Sequence, residues 1–180
     1  QRSEHIYDGE NRIKKQSWSV GGNKQRSESY TYNAEDGTLS SMSTASGETI
    51  SFKYDDLKRL ETTSGVTGQT YTYRDIDSTR TTTQIASIQY TGVASGLTLS
   101  YTYDAGGNIS SIKQGNTTIA QYQYDMQNQL IEENLLAQGI RYEYVYDTGY
   151  NIRQVKTYRN GSSTPQITNY EYGDSSWLDL

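Results

Sequence analysis

The sequence predicts an all-β fold, an antiparallel meander of tyrosine-rich β-hairpin repeats. The first observation is that the chain has 18 tyrosines among 180 residues but only one phenylalanine. The second is a recurring aromatic-x-Tyr element, whose second tyrosines follow one another at intervals of 19 to 30 residues. The third is an aliphatic residue that follows most of these elements six positions later. A repeat of roughly two dozen residues suits two strands and two turns, so about a dozen or more strands are expected.

The composition of the chain excludes several functional classes. The absence of cysteine excludes disulfides, thiol chemistry and thiolate metal sites. A net charge of -5 makes nucleic acid a poor partner. No apolar run approaches the roughly 18 residues of a membrane-spanning helix, so no membrane insertion is expected. Because the sequence starts at Gln1 rather than at a methionine, we expect it to be a segment of a longer protein.

The N-terminal stretch, residues 1–29, is predicted to be an irregular repeat unit. Tyr7 has no aromatic partner before it, although Ile13 follows at the usual offset of six. His5, the single histidine, has no neighbouring base or ligand and is expected to be exposed. Charged residues discourage strand addition at a sheet edge, and the surroundings of Tyr7 are rich in lysine and arginine. Examples are Arg12, Lys14, Lys15, Lys24 and Arg26.

Seven aromatic pairs define the repeat. Residues two apart share one face of a strand, so each pair presents two rings to the same side. Tyrosines of successive units are therefore expected to form ladders of cross-strand pairs, which act as the structural core. The pairs are Tyr30/Tyr32, Phe52/Tyr54, Tyr71/Tyr73, Tyr101/Tyr103, Tyr122/Tyr124, Tyr144/Tyr146 and Tyr170/Tyr172.

An aspartate follows the second aromatic residue in four units, as Asp55, Asp104, Asp125 and Asp147. An aspartate carboxylate can accept hydrogen bonds from backbone amides two residues on, and nearby Gly and Asn supply the positive φ of tight turns. Calcium binding is the alternative, but these aspartates recur once per unit at a turn position that favours aspartate anyway, and Asp75–Asp77 lacks the glycine and distal glutamate of a calcium loop. Turn capping is the better interpretation, and no metal site is expected.

The return segments carry two aliphatic residues three positions apart, such as Ile109 and Ile112. An offset of three breaks strand alternation, so either the first aliphatic belongs to the turn or a β-bulge separates the two. Second turns are expected at Gly47, Gly68, Gly115, Gly139 and Asn160–Gly161. The stretch 74–83 has no turn glycine and leaves its turn unplaced, and 130–136 has the local propensity of a helical turn.

The whole chain is expected to be one repeat array of seven to eight units. The approximate units are 1–29, 30–51, 52–70, 71–100, 101–121, 122–141, 142–169 and a truncated 170–180. A single hairpin is marginally stable in water, so each unit must pack on its neighbours.

The motif Tyr-x-Tyr-Asp-x-x-(Gly/Asn)-x-(Leu/Ile) resembles the YD-repeat family, also called Rhs repeats. It is clearest from Tyr101 to Ile109, Phe52 to Leu60, Tyr122 to Leu130 and Tyr144 to Ile152. The resemblance implies a curved, spiral-type sheet that forms part of a hollow shell. It also implies a large surface or secreted protein, of the sort found in Gram-positive gut bacteria, whose repeats can enclose a toxin domain. The chain has no Asp-Pro motif of a self-cleaving core, and its one proline is Pro165.

No catalytic residue and no cofactor are expected. Ser-His-Asp and Cys-His arrangements lack support, because the chain has a single histidine and neither a cysteine nor a Gly-x-Ser-x-Gly motif. Glu132 and Glu133 resemble half of a glycosidase pair, but neighbours on a strand point to opposite faces. The chain is therefore not expected to be an enzyme.

Two functional hypotheses remain from the sequence. The leading one is a structural segment of an extracellular or cell-wall-associated bacterial protein, with neighbouring repeats and a toxin domain as partners. The alternative is a carbohydrate- or cell-wall-binding module, with Trp18 and Trp177 as the candidate ligand platform because they lie outside the regular repeat. A surface protein is a further candidate partner. We also expect self-association through an unpaired sheet edge, with the C-terminal edge the more adhesive one.

Overall fold

The computed structural model describes residues 2–92 and 96–172 and contains fifteen strands there, which confirms the predicted all-β antiparallel meander. The chain divides into two compact units, residues 1–98 and 99–180, and the division into repeat units within them stays a prediction. The first unit holds β1 Arg2–Tyr7, β2 Ile13–Val20, β3 Asn23–Tyr32, β4 Leu39–Ser43, β5 Thr49–Tyr54, β6 Leu60–Ser64, β7 Thr67–Asp75 and β8 Thr81–Gly92. From that boundary follow β9 Thr98–Tyr103, β10 Ile109–Gln114, β11 Thr117–Tyr124, β12 Leu130–Leu135, β13 Ile140–Tyr146, β14 Ile152–Arg159 and β15 Gln166–Asn169, with a 3-10 turn at Leu136–Gln138.

Within each unit every strand pairs antiparallel with the next strand along the chain. Each hairpin that starts from a tyrosine also has a β-bulge beside it. In β11–β12, for example, Tyr124 lies opposite Leu130 while Gln123 lies opposite Glu132, which leaves Ile131 as the extra residue. The bulge alternative for the spacing of the aliphatic residues is thus correct. Equivalent bulges lie beside Tyr7, Tyr32, Tyr54, Tyr73, Tyr103 and Tyr146.

Two local expectations from the sequence need correction. Gly68 lies inside β7 rather than in a turn, because the chain reverses between Ser64 and Thr67. Its backbone approaches β6 so closely that a β-carbon would come within 2.9 Å of the Thr63 carbonyl oxygen. The stretch from Leu130 is strand β12 and not a helical turn, since pairing on both sides outweighs local propensity.

The structure also places the turn that lacks a glycine and the last aromatic pair. The turn that lacks a glycine joins β7 to β8, where Asp75 lies opposite Thr81 and the Asp77 carboxylate accepts the backbone amides of Thr79 and Arg80 at 2.9 Å. The last aromatic pair follows β15 instead of forming a strand, although the Tyr170 amide still donates to the Arg153 carbonyl oxygen at 2.8 Å.

The described residues contain almost no buried core. Ala120, 4% exposed, is the one buried apolar residue among them, and no large side chain there is fully buried. Most strand side chains are half-buried, because they pack mainly against side chains of the neighbouring strands. Stability must therefore come from cross-strand pairs and turns more than from a central core.

One turn carries a residue that its backbone disfavours. Tyr150 has φ +66° and is 67% exposed, at the turn position where the β9–β10 turn has Gly107 with φ +86°. We expect Tyr150→Gly to raise the free energy of unfolding by about 0.5–1 kcal/mol, because glycine adopts this conformation without a β-carbon clash. Urea unfolding measures the change. Gly107→Ala is the matched control and should destabilise; a destabilising Tyr150→Gly would contradict the argument.

Candidate functional site

The repeated aromatic pairs build one face of the sheet in each unit, which we call the tyrosine face. In the second unit the strand register places Tyr103, Tyr124 and Tyr146 on this face, opposite Ile109, Leu130 and Ile152. The residue between the two aromatics of a pair points to the other side, which we call the outer face. In the seven strands of this unit the paired rings are half-buried, so the tyrosine face keeps some aromatic surface open to solvent.

Tyrosine hydroxyls join neighbouring hairpins, a feature that sequence reasoning missed. In four repeats the second tyrosine donates to the carbonyl oxygen of the first aliphatic residue in the preceding return strand. This contact joins residues 13 to 20 positions apart and gives the carbonyl oxygen beside the bulge a hydrogen-bond donor. The bonds are Tyr32–Ile13, Tyr73–Leu60 and Tyr146–Leu130 at 2.8 Å and Tyr172–Ile152 at 2.9 Å.

Arginine strengthens this link in the first unit. The Arg59 Nε donates to Asp55 Oδ2 at 2.7 Å, and the guanidinium carbon lies 4.1 Å from the centroid of the Tyr73 ring. Arg12 makes the same contacts with Asp8 and Tyr32, at 2.7 and 4.5 Å. Each guanidinium thus connects the turn of one hairpin to the ring of the next through an ion pair and a cation–π contact.

Three polar side chains accept hydrogen bonds from tyrosine hydroxyls on the tyrosine face. Glu28, only 8% exposed, accepts from Tyr30 at 2.8 Å and also pairs with Arg26, and these contacts lower the pKa of the Glu28 carboxyl. Glu133 accepts from Tyr144 at 3.0 Å. Gln69 accepts from Tyr71. All three contacts use the hydroxyl as a donor, so they need protonated tyrosines.

Trp18, one of the two candidate platform residues, is half-buried on the tyrosine face opposite Arg26. The Arg26 guanidinium carbon lies 5.5 Å from the Trp18 ring centroid. Trp177, the other candidate, lies outside the described residues. A ligand-binding role for either tryptophan stays a prediction.

The aspartate turns share one geometry. Asp55 Oδ1 accepts the backbone amides of Leu57 and Arg59, both at 2.9 Å, and its own amide donates to the Arg59 carbonyl oxygen. These contacts are those of a capped turn, as the sequence predicts. Within residues 2–92 and 96–172, no three His, Cys, Asp or Glu side chains form a group that could hold a metal ion. Asp8, Asp125 and Asp147 accept the corresponding pair of amides, and Asp104 accepts the second of them.

Acid is expected to destabilise the protein through these turns. Hydrogen bonds from the backbone lower the pKa of Asp8, Asp104 and Asp147 below its usual value, and the contact with Lys58 does so for Asp36. A carboxyl with a lowered folded-state pKa contributes stability above its unfolded pKa and loses it as pH falls through the folded pKa. We expect the free energy of unfolding to be flat near neutral pH and to fall below about pH 4.

Urea unfolding between neutral pH and about pH 2.5 tests this expectation. Asp104→Asn removes one titrating carboxyl and should make the acid limb shallower. A loss of stability that begins near pH 6 would contradict this expectation.

The tyrosines predict a second, alkaline limit. Burial is the main cause that raises the pKa of Tyr71, Tyr73, Tyr122, Tyr124, Tyr144 and Tyr146. A raised folded-state pKa contributes stability below the unfolded value of about 10, and this stability is lost as pH rises through the folded pKa. Tyrosinate absorbance should therefore rise cooperatively with unfolding above about pH 10. A gradual rise without unfolding would mean that the rings are freely exposed.

The two adjacent glutamates lie on opposite faces, as strand geometry requires. Glu133 contacts Tyr144 on the tyrosine face, whereas Glu132 Oε2 pairs with Arg141 at 3.1 Å on the outer face. They do not face each other as the two carboxyls of a glycosidase do.

Solved structures with a similar fold were found, whereas no protein-family model and no curated protein sequence matches the chain. "TcdB2-TccC3-TEV" is 14% identical with a TM-score of 0.58, over 93% of this chain and 12% of that chain. "TcdB2-TccC3" is 16% identical with a TM-score of 0.53, over 91% and 12%. A Tc holotoxin pore of Photorhabdus luminescens, with a TccC3-D651A mutation, is 14% identical with a TM-score of 0.55, over 88% and 11%.

The likeness is one of fold. At such low identity it supports the all-β, YD-repeat-like architecture that the tyrosine motifs predict. The chain spans only about an eighth of the length of these neighbours. Within the described residues, no helix is long and apolar enough to cross a membrane.

Proposed function

We propose that this chain is a structural wall segment of a large extracellular bacterial YD-repeat protein, and not an enzyme. The observation that carries the proposal is the tyrosine face. Its aromatic pairs repeat in one register, and their hydroxyls join successive hairpins. The face also keeps half-exposed rings that no second layer covers within the described residues. Such a face suits the inner surface of a wall, where a second polypeptide can lie against it.

The proposed partner on the tyrosine face is a toxin domain of the parent protein. Similarity of fold to proteins described as parts of a Tc holotoxin supports this proposal. The wider setting, a secreted or cell-wall-associated protein of a Gram-positive gut bacterium, rests on the motif resemblance alone and is part of the same proposal.

Single-cysteine labelling in the full-length parent protein tests which face is enclosed, because this chain contains no cysteine of its own. Thr62 and Thr63 are neighbours on β6 that point to opposite faces: Thr63 lies opposite Phe52 on the tyrosine face, and Thr62 lies opposite Lys53 on the outer face. We expect a maleimide polymer to label the Thr62→Cys variant and to spare the Thr63→Cys variant. In the isolated chain it should label both.

The two variants are matched controls for each other, since both side chains are threonines at half-buried positions of one strand. Equal labelling of both in the parent protein would show that the tyrosine face is open. Protection of the Thr62→Cys variant alone would mean that the outer face is the covered one.

The edges of the sheet are proposed sites of self-association. All six residues of β1 and all four residues of β15 are exposed, and each of these strands pairs with one neighbour in the described part of the chain. Strand addition satisfies the free backbone groups of such an edge. Sedimentation velocity across a range of protein concentrations should show dimers. A monomer at every concentration would contradict self-association through these edges.

Carbohydrate binding remains the second candidate function. The observation that favours it is a cleft on the outer face, between the turn after β12 and the β14–β15 turn. Trp18, the tryptophan among the described residues, does not line this cleft.

A further inference from the structure

Several hairpins carry hydroxyl groups on the outer face, whereas Lys53 and Gln123 occupy the corresponding position in two others. Hydroxyl groups pair across the strands beside the bulges. Thr31 Oγ1 lies 2.9 and 2.7 Å from the hydroxyls of Ser40 and Ser41, and Thr102 Oγ1 lies at the same distances from Ser110 and Ser111. Cross-strand contacts of this kind stabilise a solvated sheet face without ring systems or charge.

The outer face departs from this pattern on β12 to β14. Arg141 lies opposite Tyr158, and Glu143 lies opposite Lys156. The guanidinium carbon of Arg141 lies 3.9 Å from the centroid of the Tyr158 ring, and the Tyr158 hydroxyl donates to Glu143 at 3.0 Å. Within the described strands, Tyr158 is the one aromatic side chain on an outer face. A local exception to a regular repeat is where a function separate from the fold is expected.

The charges of this cluster cancel. Arg141 pairs with Glu132 at 3.1 Å and also with Glu143, and Lys156 lies 3.4 Å from Glu143. Two cations therefore balance two carboxylates. A neutral polar ligand fits such a cluster better than an ion does, because neither sign of charge is left in excess.

A cleft of about 480 Å³ borders the cluster, between the 3-10 turn after β12 and the β14–β15 turn. Asn134, Leu136, Arg141, Tyr158 and Ser163 line it. Leu136 is 44% exposed. The Asn134 amide group forms no hydrogen bond with any other described residue, so both its donor and its acceptor are free for a ligand.

The two turns that frame the cleft are tied together. The Asn160 backbone amide donates to the Gly139 carbonyl oxygen at 2.7 Å. Gly139 closes the 3-10 turn with φ +63°, and a β-carbon there would lie 3.1 Å from Asn160 Oδ1. This contact fixes the two turns relative to each other, which lowers the entropic cost of binding a ligand between them.

We propose that this cleft binds a neutral saccharide of one or two rings. The Asn134 amide and the Ser163 hydroxyl match the hydroxyl groups of a sugar, because each can donate and accept. Leu136 and the open part of Tyr158 match the apolar C–H surface of a pyranose ring. The volume lies in the usual range of small-ligand sites. The site lies outside the tyrosine face, so this proposal, which rests on the second candidate function, does not depend on the proposed enclosure of a toxin domain.

Calorimetric titration of the full 180-residue chain with cellobiose, maltose and diacetylchitobiose tests the proposal. We expect at least one of these neutral disaccharides to bind. Sialyllactose, as an anionic probe, and glucosamine, as a cationic one, should bind more weakly than that disaccharide. Asn134→Ala should raise the Kd about tenfold, as expected for one or two lost hydrogen bonds at a rigid site.

Gln121→Ala is the matched control, since Gln121 lies opposite Asn134 in the β11–β12 register but does not line the cleft. It should change the Kd less than twofold. Thermal unfolding of both variants should match the parent chain, so a loss of binding would not reflect a loss of fold. Failure of all three disaccharides to bind, a preference for a charged probe, or an unchanged Kd in Asn134→Ala would overturn the proposal. The cluster would then serve only to join β12, β13 and β14.

Discussion

Tyr73→Ala is expected to lower the free energy of unfolding by about 3 kcal/mol, near the lower end for aromatic-to-alanine changes because the ring is half-buried. The substitution removes three contacts together: the cross-strand packing of the ring, the Arg59 guanidinium 4.1 Å from its centroid, and the hydroxyl bond of 2.8 Å to the Leu60 carbonyl oxygen. Urea unfolding at neutral pH, followed by intrinsic fluorescence, measures the loss.

Two further variants separate these contributions. Tyr73→Phe keeps the ring and removes only the hydroxyl bond, so we expect a loss of about 1 kcal/mol. Tyr150→Ala removes a tyrosine that is 67% exposed and should change stability by less than about 0.5 kcal/mol. If Tyr73→Ala cost no more than Tyr150→Ala, the rings of the tyrosine face would not be structural. The ligand-binding interpretation of the repeated tyrosines would then be favoured.

Gly92→Ala is expected to lower the free energy of unfolding by about 3 kcal/mol, as much as Tyr73→Ala does. Gly92 pairs with Thr67 at the end of the long β7–β8 hairpin and has φ +73°. A β-carbon at this position would overlap the Val66 carbonyl oxygen, which belongs to the backbone and cannot rotate away as a side chain does. The alanine variant must therefore shift the β6–β7 turn or open the end of the hairpin.

Gly47→Ala is the matched control for Gly92→Ala. Gly47 has φ +86°, but no atom lies within 4 Å of the place where its β-carbon would be. Only the backbone strain of a positive φ applies there, so we expect a loss of about 1 kcal/mol. Thermal unfolding of the two variants side by side measures the difference. Equal losses would show that the close approach to Val66 contributes nothing.

Local features of this protein were predictable from the sequence. A Tyr-x-Tyr pair shares a strand face by geometry alone, and the aspartate after it reaches amides only two and four residues away. Such contacts depend on a few consecutive dihedral angles, so residue type and spacing are sufficient to predict them.

Features that depend on strand register were not predictable in this way. The spacing of Ile109 and Ile112 left the turn and the bulge as alternatives, and only pairing with β9 selects the bulge. Gly68 has the composition of a turn, yet its position inside β7 follows from close contact with β6 and β8. The segment 130–136 has helical propensity, but two paired neighbours make it a strand.

The sequence by itself therefore determined the fold class, the aromatic face and the capped turns of this protein. The tertiary structure alone decided the hydroxyl bonds between hairpins, such as that from Tyr146 to Leu130, and the charged cluster around Arg141. These contacts join residues on different strands, at distances set by register and bulges. The physical reason is that register is a collective property of paired strands, so a one-residue slip would change every such contact while leaving each local motif unchanged.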